Sequence, residues 1–314
     1  VSVTQTLLHA LRTGLRQHGD DPKWPLYLSL ELVLRQLPPD DRERLAVLAF
    51  FKDGANRIAL GHALALDTLA VGALCARLIG LGLAEDQGYG HLRFDPALIH
   101  YLDSQLDPNS RAVWRERWRA GMEQLLAVLY PQSFKDSTRA HRLLRLELPN
   151  LLALLRDTPR HVEPERIARL ANQLEQLLAG LGASAALTEV VAARERAGRA
   201  LPDWSRIRFE TERLRIERLR DEGALEDALW VARQLLRQCQ DSGSDAYPGA
   251  AYDLARAHFQ LGKLLKLSSA VEPAAQELAE ARQQFQTLAD AGNANAGRMA
   301  AVAEAETGDC LTDL

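Results

Sequence analysis

The sequence is poor in cysteine, in aromatic residues and in the β-branched residues that strands favour. Its three cysteines, Cys75, Cys239 and Cys310, lie far apart in 314 residues and match no metal-ligand spacing. So sparse and odd a count fits a reducing compartment, and the expected location is cytoplasmic. Aromatics are 6% of the chain, and with Val, Ile and Thr scarce an extensive β-sheet is not expected. No apolar run approaches the roughly 20 residues needed to span a bilayer, and the first residues lack the basic-then-apolar layout of a signal peptide, so no membrane partner is expected. An excess of one charge is missing as well. The formal net charge is -4 and the pI about 6.1, a balance with no general attraction to nucleic acid or to an anionic surface.

The signatures of catalysis are also absent. There is no Gly-x-x-x-x-Gly-Lys-Ser/Thr loop to cradle phosphates and no Gly-x-Ser-x-Gly elbow. His62, His91, His100 and His141 form neither a His-x-x-x-His pair nor a Cys/His set. The chain by itself is therefore expected to be no enzyme and to hold no metal or cofactor. It begins at Val1 rather than Met and stops at Leu314 inside a helical pattern, so both ends read as cut and the chain as an internal piece of a longer protein.

What is abundant is Leu, Ala, Arg and Glu, the vocabulary of helices. Leu7, Leu8, Leu11 and Leu15 share one face of a helix over 4–17, and Leu26, Leu30, Val33, Leu34 and Leu37 one face of a helix over 25–36. After Pro38-Pro39 comes a more compact stretch. Asp40 or Asp41 is placed to cap a helix over 42–51, and helices over 57–65 and 68–81 follow, the second capped by Asp67 or Thr68. The one clear strand signal lies between Leu81 and Phe94, where two apolar runs flank the Gly-containing turn Glu85-Asp86-Gln87-Gly88-Tyr89-Gly90 of a β-hairpin. Asp95-Pro96 then opens a helix through Leu102. Three helices, a hairpin and a helix describe a winged-helix domain.

From Ser110 onward only helices are expected, near 110–130, 133–146, 148–157, 163–180, 184–200, 204–221, 224–240, 247–267, 271–290 and 293 to the end. Each carries Leu or Ala at three- and four-residue spacing, and short connections make neighbours antiparallel. Trp114 and Trp118, at i and i+4, form a packing ridge. The late helices also repeat. Ala228 recurs as Ala274 and Gly262 as Gly308, both 46 residues on. Gly262 and Ala274 permit close approach of a helix pair, and Leu278 and Ala281 complete the contact. Leu261, Gly262, Leu265, Ala274, Leu278 and Ala281 look like the tetratricopeptide (TPR) pattern stretched from its usual length of about 34 residues. His258 stands where a large aromatic is usual, and Ile216 replaces the Gly of the preceding unit. The alternative is an irregular bundle with accidental registry.

In a solenoid the first helix of each pair lines a concave face. On this register Arg213, Glu217, Arg220, Arg256, Phe259, Lys263 and Lys266 line it, a mixed-charge groove suited to a protein or peptide ligand; each of these residues also reads as part of a solvated helix face. The winged helix is not expected to bind DNA. Its third helix offers one base, Arg77, and the wing sets His91 and Arg93 against Glu85 and Asp86, too few for the six or more phosphate contacts of a tight binder.

The runs Leu28-Ser-Leu-Glu-Leu-Val-Leu-Arg-Gln-Leu37-Pro-Pro-Asp-Asp-Arg-Glu-Arg-Leu-Ala-Val-Leu-Ala-Phe50-Phe, Leu74-Cys-Ala-Arg-Leu-Ile-Gly-Leu-Gly-Leu-Ala-Glu-Asp86 and Leu92-Arg-Phe-Asp-Pro96-Ala-Leu-Ile-His-Tyr101-Leu resemble the winged-helix region that follows the nucleotide-binding core of STAND-class (NB-ARC-type) signal-transduction ATPases. Leu148-Pro-Asn-Leu-Leu-Ala-Leu-Leu155 resembles the lead into their TPR sensor arrays. The resemblance implies a regulated switch. The winged helix folds over nucleotide and holds an inactive state, the array senses a ligand, and release permits exchange and oligomerisation of the full-length protein. ATP or ADP and Mg would enter only with an upstream ATPase domain. Where that family carries a His before the Pro of the helix after the wing, this chain has Asp95 before Pro96. The two are candidates to face nucleotide in the full-length protein, although an acidic group repels phosphate and Asp95 also reads as a plain helix cap.

The expected fold is mainly α, with a helical linker over 1–37, a winged-helix domain over 38–106, a helical connector over 107–202 and TPR-like repeats over 203–314. The expected role is a regulatory and sensor segment, non-catalytic alone, that recognises protein or peptide. The other reading is a transcriptional regulator whose winged helix meets DNA while its repeats sense an effector.

Overall fold

The computed structural model describes residues 24–157, 164–178, 181–201 and 203–312. The expected helix over 4–17 lies outside them. The architecture is mainly helical, with one small antiparallel sheet. It divides into two compact units, 1–158 with 176–186 and 159–175 with 187–314.

The first unit begins with α1 (Trp24–Leu34), a short α2 (Pro39–Arg44) and a 3-10 turn (Leu45–Phe50). Strand β1 (Gly54–Asn56), helices α3 (Arg57–Leu64) and α4 (Thr68–Gly80), and strands β2 (Ala84–Asp86) and β3 (His91–Phe94) follow. Then come α5 (Pro96–Ser104), α6 (Pro108–Ser133) and α7 (Ser137–Asp157). Several starts are written in the local sequence. Asn56, Asp67 and Asp95 each accept a hydrogen bond from a backbone N–H of the first turn they precede, and Pro96 and Pro108 open their helices, where the missing N–H costs nothing.

The sheet order is β1-β3-β2, with Ala55 opposite Leu92 and Ala84 opposite Phe94. Leu45, Leu48, Phe51, Leu60, Leu74, Leu78, Leu92 and Leu98 form the core beneath it. Trp118 is buried and meets Phe50 and Phe51 at 6.4 and 6.5 Å between ring centroids, so the tryptophan ridge packs as expected. Gly54 is obligatory. A Cβ there would sit 2.1 Å from the Leu92 carbonyl oxygen and 2.6 Å from His91 Nε2.

Several expectations need correction. Neither Asp40 nor Asp41 caps a helix. The N-cap is Pro38, without a side-chain bond, and Asp41 is buried and accepts from Arg77 Nη2 at 2.5 Å. The single helix expected over 42–51 is α2 followed by the 3-10 turn. Strand β1 was not foreseen: three residues are too few to show alternation, and only pairing with β3 makes them a strand. The first hairpin arm starts at Ala84 rather than Leu81, which ends α4. The two helices expected over 133–146 and 148–157 are the single helix α7, with Pro149 inside it. A proline inside a helix costs about 3 kcal/mol, and here the next residue anchors that turn to the sheet region. Asn150 donates to the Gly54 carbonyl at 2.9 Å and to Glu147 Oε2 at 2.9 Å, and accepts from the Lys52 N–H at 2.6 Å.

The second unit takes in most of α8 (Pro164–Leu178) and α9 (Ser184–Ala200), then α10 (Arg206–Asp221), α11 (Leu225–Ser242), α12 (Ala250–Leu267), α13 (Val271–Asp290) and α14 (Ala294–Thr312). From α10 onward each helix packs on the next. Ile216, Ala228, Ala232, Leu235, Leu261, Leu264, Ala274 and Leu278 share one core, and Ala255, Ala281, Phe285, Ala296 and Ala300 a second. Gly262 permits close approach of α12 and α13: a Cβ would lie 2.7 Å from Leu278 Cγ and 3.2 Å from the Ala274 carbonyl oxygen. A Cβ at Gly308 would meet nothing within 4 Å among the described residues, so the two glycines are not equivalent in packing. Arg194 is buried with its Nε 2.7 Å from Glu175, and it donates to the Thr211 carbonyl.

No single helix among the described residues is long and apolar enough to cross a membrane; α3 and α4 pass that test together only as a pair bent by 110°. Most of that pair's apolar side chains lie in the core.

Candidate ligand-binding cleft

A cleft of about 460 Å³ runs along α10, α12 and α14 of the second unit. The intervening α11 and α13 contribute nothing to its walls. The walls are therefore alternate helices of the chain, each packed on the helix that separates it from the next. Helical spacing then selects the residues. Arg213, Glu217 and Arg220 share one face of α10 at i, i+4 and i+7, and Tyr252, Arg256, Phe259 and Lys263 share one face of α12.

Of the seven residues read from the sequence, six line this cleft. Lys266 does not. It reaches Glu306 and Asp309 on α14 at 3.0 and 3.3 Å. Residues not foreseen complete the cleft: Tyr252 and Gln260 on α12, and Asn295, Arg298 and Met299 on α14. The exposed side chain of α12 at Leu267 marks one edge, with a relative accessibility of 59%. The α14 wall could not be read from sequence because nothing in α14 itself records which helix it folds against.

Charge in the cleft is held in a chain of ion pairs. Glu210 accepts from Arg213 Nε at 2.6 Å and from Arg256 Nη1 at 2.9 Å. Arg213 also donates to Glu217. Burial by itself would raise the Glu210 carboxyl, but the guanidinium groups of Arg213 and Arg256 outweigh it and hold the group below the usual range. Burial likewise disfavours the charged form of Arg213, and Glu210 and Glu217 reverse that. These arginines are thus fixed in place, and Arg213 is 7% exposed. Lys263 Nζ sits 5.7 Å from the centre of the Phe259 ring and 3.7 Å from Glu306. Arg220 pairs with its neighbour Asp221 at the surface.

Asp253, on the same helix but outside the cleft, is 1% exposed. Its carboxyl is raised by burial, which its hydrogen bond from the Tyr247 hydroxyl at 3.0 Å only partly offsets. The Cys239 thiol is pushed up to about 12 by burial and by Asp253. Neither group faces open space, and both are structural.

In the first unit, His91 is not at the surface of the wing. It is 4% exposed, and its Nδ1 lies 2.6 Å from Oε1 of the fully buried Glu147. Arg77 is tied to Asp41 and Arg57 to Asp86. Asp95 is exposed, and its carboxylate accepts from the Ala97 N–H at 2.7 Å. Pro96 lines a cavity of about 680 Å³ with Lys52, Arg93, His100 and Arg156, and Asp95 does not. Asp95 thus serves as a helix cap, and the carboxylate that does line this cavity is Asp53. Among the described residues no group of three His, Cys, Asp or Glu side chains is placed to hold a metal ion.

Comparison of the chain with protein-family models, with curated proteins and with solved structures finds no match.

Proposed function

We propose that this chain is the regulatory and sensor segment of a STAND-type (NB-ARC) signalling ATPase, that its TPR-like repeats take up a protein or peptide ligand, and that its winged helix is a conformational control element. The observation that carries the reading is the cleft along α10, α12 and α14, whose lining combines fixed arginines with accessible apolar atoms from three helices. Such a surface suits an extended chain better than a compact metabolite, since its polar groups are spread along three helices rather than converging on one point. The winged-helix part of the reading is supported by the order of α2 and the 3-10 turn, β1, α3, α4, β2 and β3, and by the sheet order β1-β3-β2. Nucleotide and Mg belong to a domain not contained in this sequence.

The competing reading, a DNA-binding regulator, draws little support from the same surfaces. Arg77 and Arg57 are engaged with carboxylates, and His91 is buried. Panning a dodecapeptide display library on the chain tests the choice. Enriched peptides that slow amide exchange in α10, α12 and α14 agree with the sensor reading. No enrichment, or protection confined to other helices, overturns it. A salt-dependent shift of duplex DNA at micromolar protein would favour the regulator instead.

A further inference from the structure

Resting on the reading of the cleft as a peptide site, we propose that its ligand is an acidic peptide segment that also presents an apolar side chain. The lining holds Arg213, Arg220, Arg256, Lys263 and Arg298 against a single carboxylate, Glu217. Much of this charge is answered from behind or from the rim, by Glu210, Asp221 and Glu306. The pairs differ in what they leave available. Arg213 and Arg256 are locked on Glu210 and set the local potential without moving. Lys263 is held loosely, at 3.7 Å, and Glu306 has a nearer partner in Lys266 at 3.0 Å. An incoming carboxylate can therefore take Lys263 without stranding Glu306. Arg298 is exposed and has no ion pair among the described residues. Its five N–H donors match a carboxylate in a planar, two-pronged geometry.

The apolar half of the argument is the surface between these cations. Phe259 and Met299 are half-buried in the cleft, Tyr252 lies beside them, and Leu267 is exposed at one edge. A free inorganic anion would use the cations and leave this surface wet. A basic or neutral peptide would cover the apolar atoms but offer no carboxylate to Arg298 or to the loosely held Lys263. An acidic segment with a leucine- or phenylalanine-like side chain uses both, and electrostatic complementarity of this kind selects partners and speeds association.

The peptides enriched in the display experiment are the probe. They are expected to be rich in Asp and Glu around one large apolar residue. Fluorescein-labelled copies on the full chain should bind with an affinity that falls when salt is raised from about 50 to 300 mM, as the screening length shrinks. Exchange of their acids for Gln and Asn should weaken binding roughly tenfold or more. Arg298→Glu and Lys263→Glu should each weaken it roughly three- to tenfold, while Arg233→Glu, exposed on α11 and outside the cleft, should leave it unchanged. Enrichment of neutral or basic peptides, or insensitivity to the α12 and α14 reversals, overturns the acidic ligand and leaves the peptide site standing. No enriched peptide, or competition for the cleft by a single-stranded oligonucleotide alone, overturns both.

Discussion

Arg256 on α12 reaches Glu210 on α10 at 2.9 Å, and the same carboxylate holds Arg213 at 2.6 Å. One acid thus joins successive hairpins and sets two arginines on the cleft wall. Glu210→Gln should cost about 1–3 kcal/mol, since it leaves the buried Arg213 and the half-buried Arg256 each short of a partner. The loss should appear as a lower urea midpoint with an unchanged slope. The pH dependence has a definite sign. The folded-state carboxyl lies below its ordinary value of 4.5, so the stabilisation is complete above about pH 4.5 and disappears as pH falls through the folded-state value. The variant and the parent chain should converge in acid.

Asp253 predicts the opposite sign. Its folded-state carboxyl lies above the ordinary 3.8 because burial disfavours the charge, so its contribution is most favourable at or below pH 3.8 and declines as pH rises through the folded-state value. Asp253→Asn keeps an oxygen for the Tyr247 hydroxyl and removes the buried charge. The variant should melt higher than the parent at pH 7, by an amount that shrinks toward zero near pH 4. A lower melting temperature at pH 7 would show that the charge is satisfied in the fold.

Gly262 and Gly308 are 46 residues apart but face different surroundings. Gly262→Ala forces a methyl to within 2.7 Å of Leu278 Cγ and 3.2 Å of a backbone oxygen. The resulting overpacking exceeds the gain in helix propensity, for a net loss of about 1–2 kcal/mol. Gly308→Ala meets nothing within 4 Å among the described residues and should gain about 0.5–1 kcal/mol. Chemical denaturation of the two single variants checks both.

His91→Ala should be among the most damaging changes in the first unit. It leaves the fully buried Glu147 with Asn150 as its remaining hydrogen-bond partner, a loss of about 3 kcal/mol or more. The sharper readout is local: amide exchange of β1, β3 and the middle of α7 should accelerate, because Glu147 and Asn150 fasten that helix to the sheet. Unchanged protection in α7 would count against the bond as its anchor.

Much of the helical layout was legible because a 3.6-residue period and a capping side chain are local signals. Asp67 and Asp95 were identifiable from the residues beside them and act as caps. Asp41 was not, since α2 already begins at Pro39 and takes Asp41 into its first turn, where its carboxylate meets Arg77, 36 residues away. Pro149 read as a break because the local cost is real, and the contacts that tolerate it come from Gly54 and Lys52 near the other end of the unit. Strand β1 has too few residues to carry a period at all.

The cleft divides along the same line. By itself, the sequence determined that α10 and α12 each present a stripe of charged residues, with Phe259 on the α12 stripe, because the stripe is a property of one helix and its spacing. Only the tertiary structure decided that the two stripes face one cavity, that α14 closes it with Asn295, Arg298 and Met299, and that Lys266 is spent on Glu306 and Asp309 instead. Side-chain periodicity is fixed within a few residues of chain, whereas the partner of a helix face is chosen by packing across the fold.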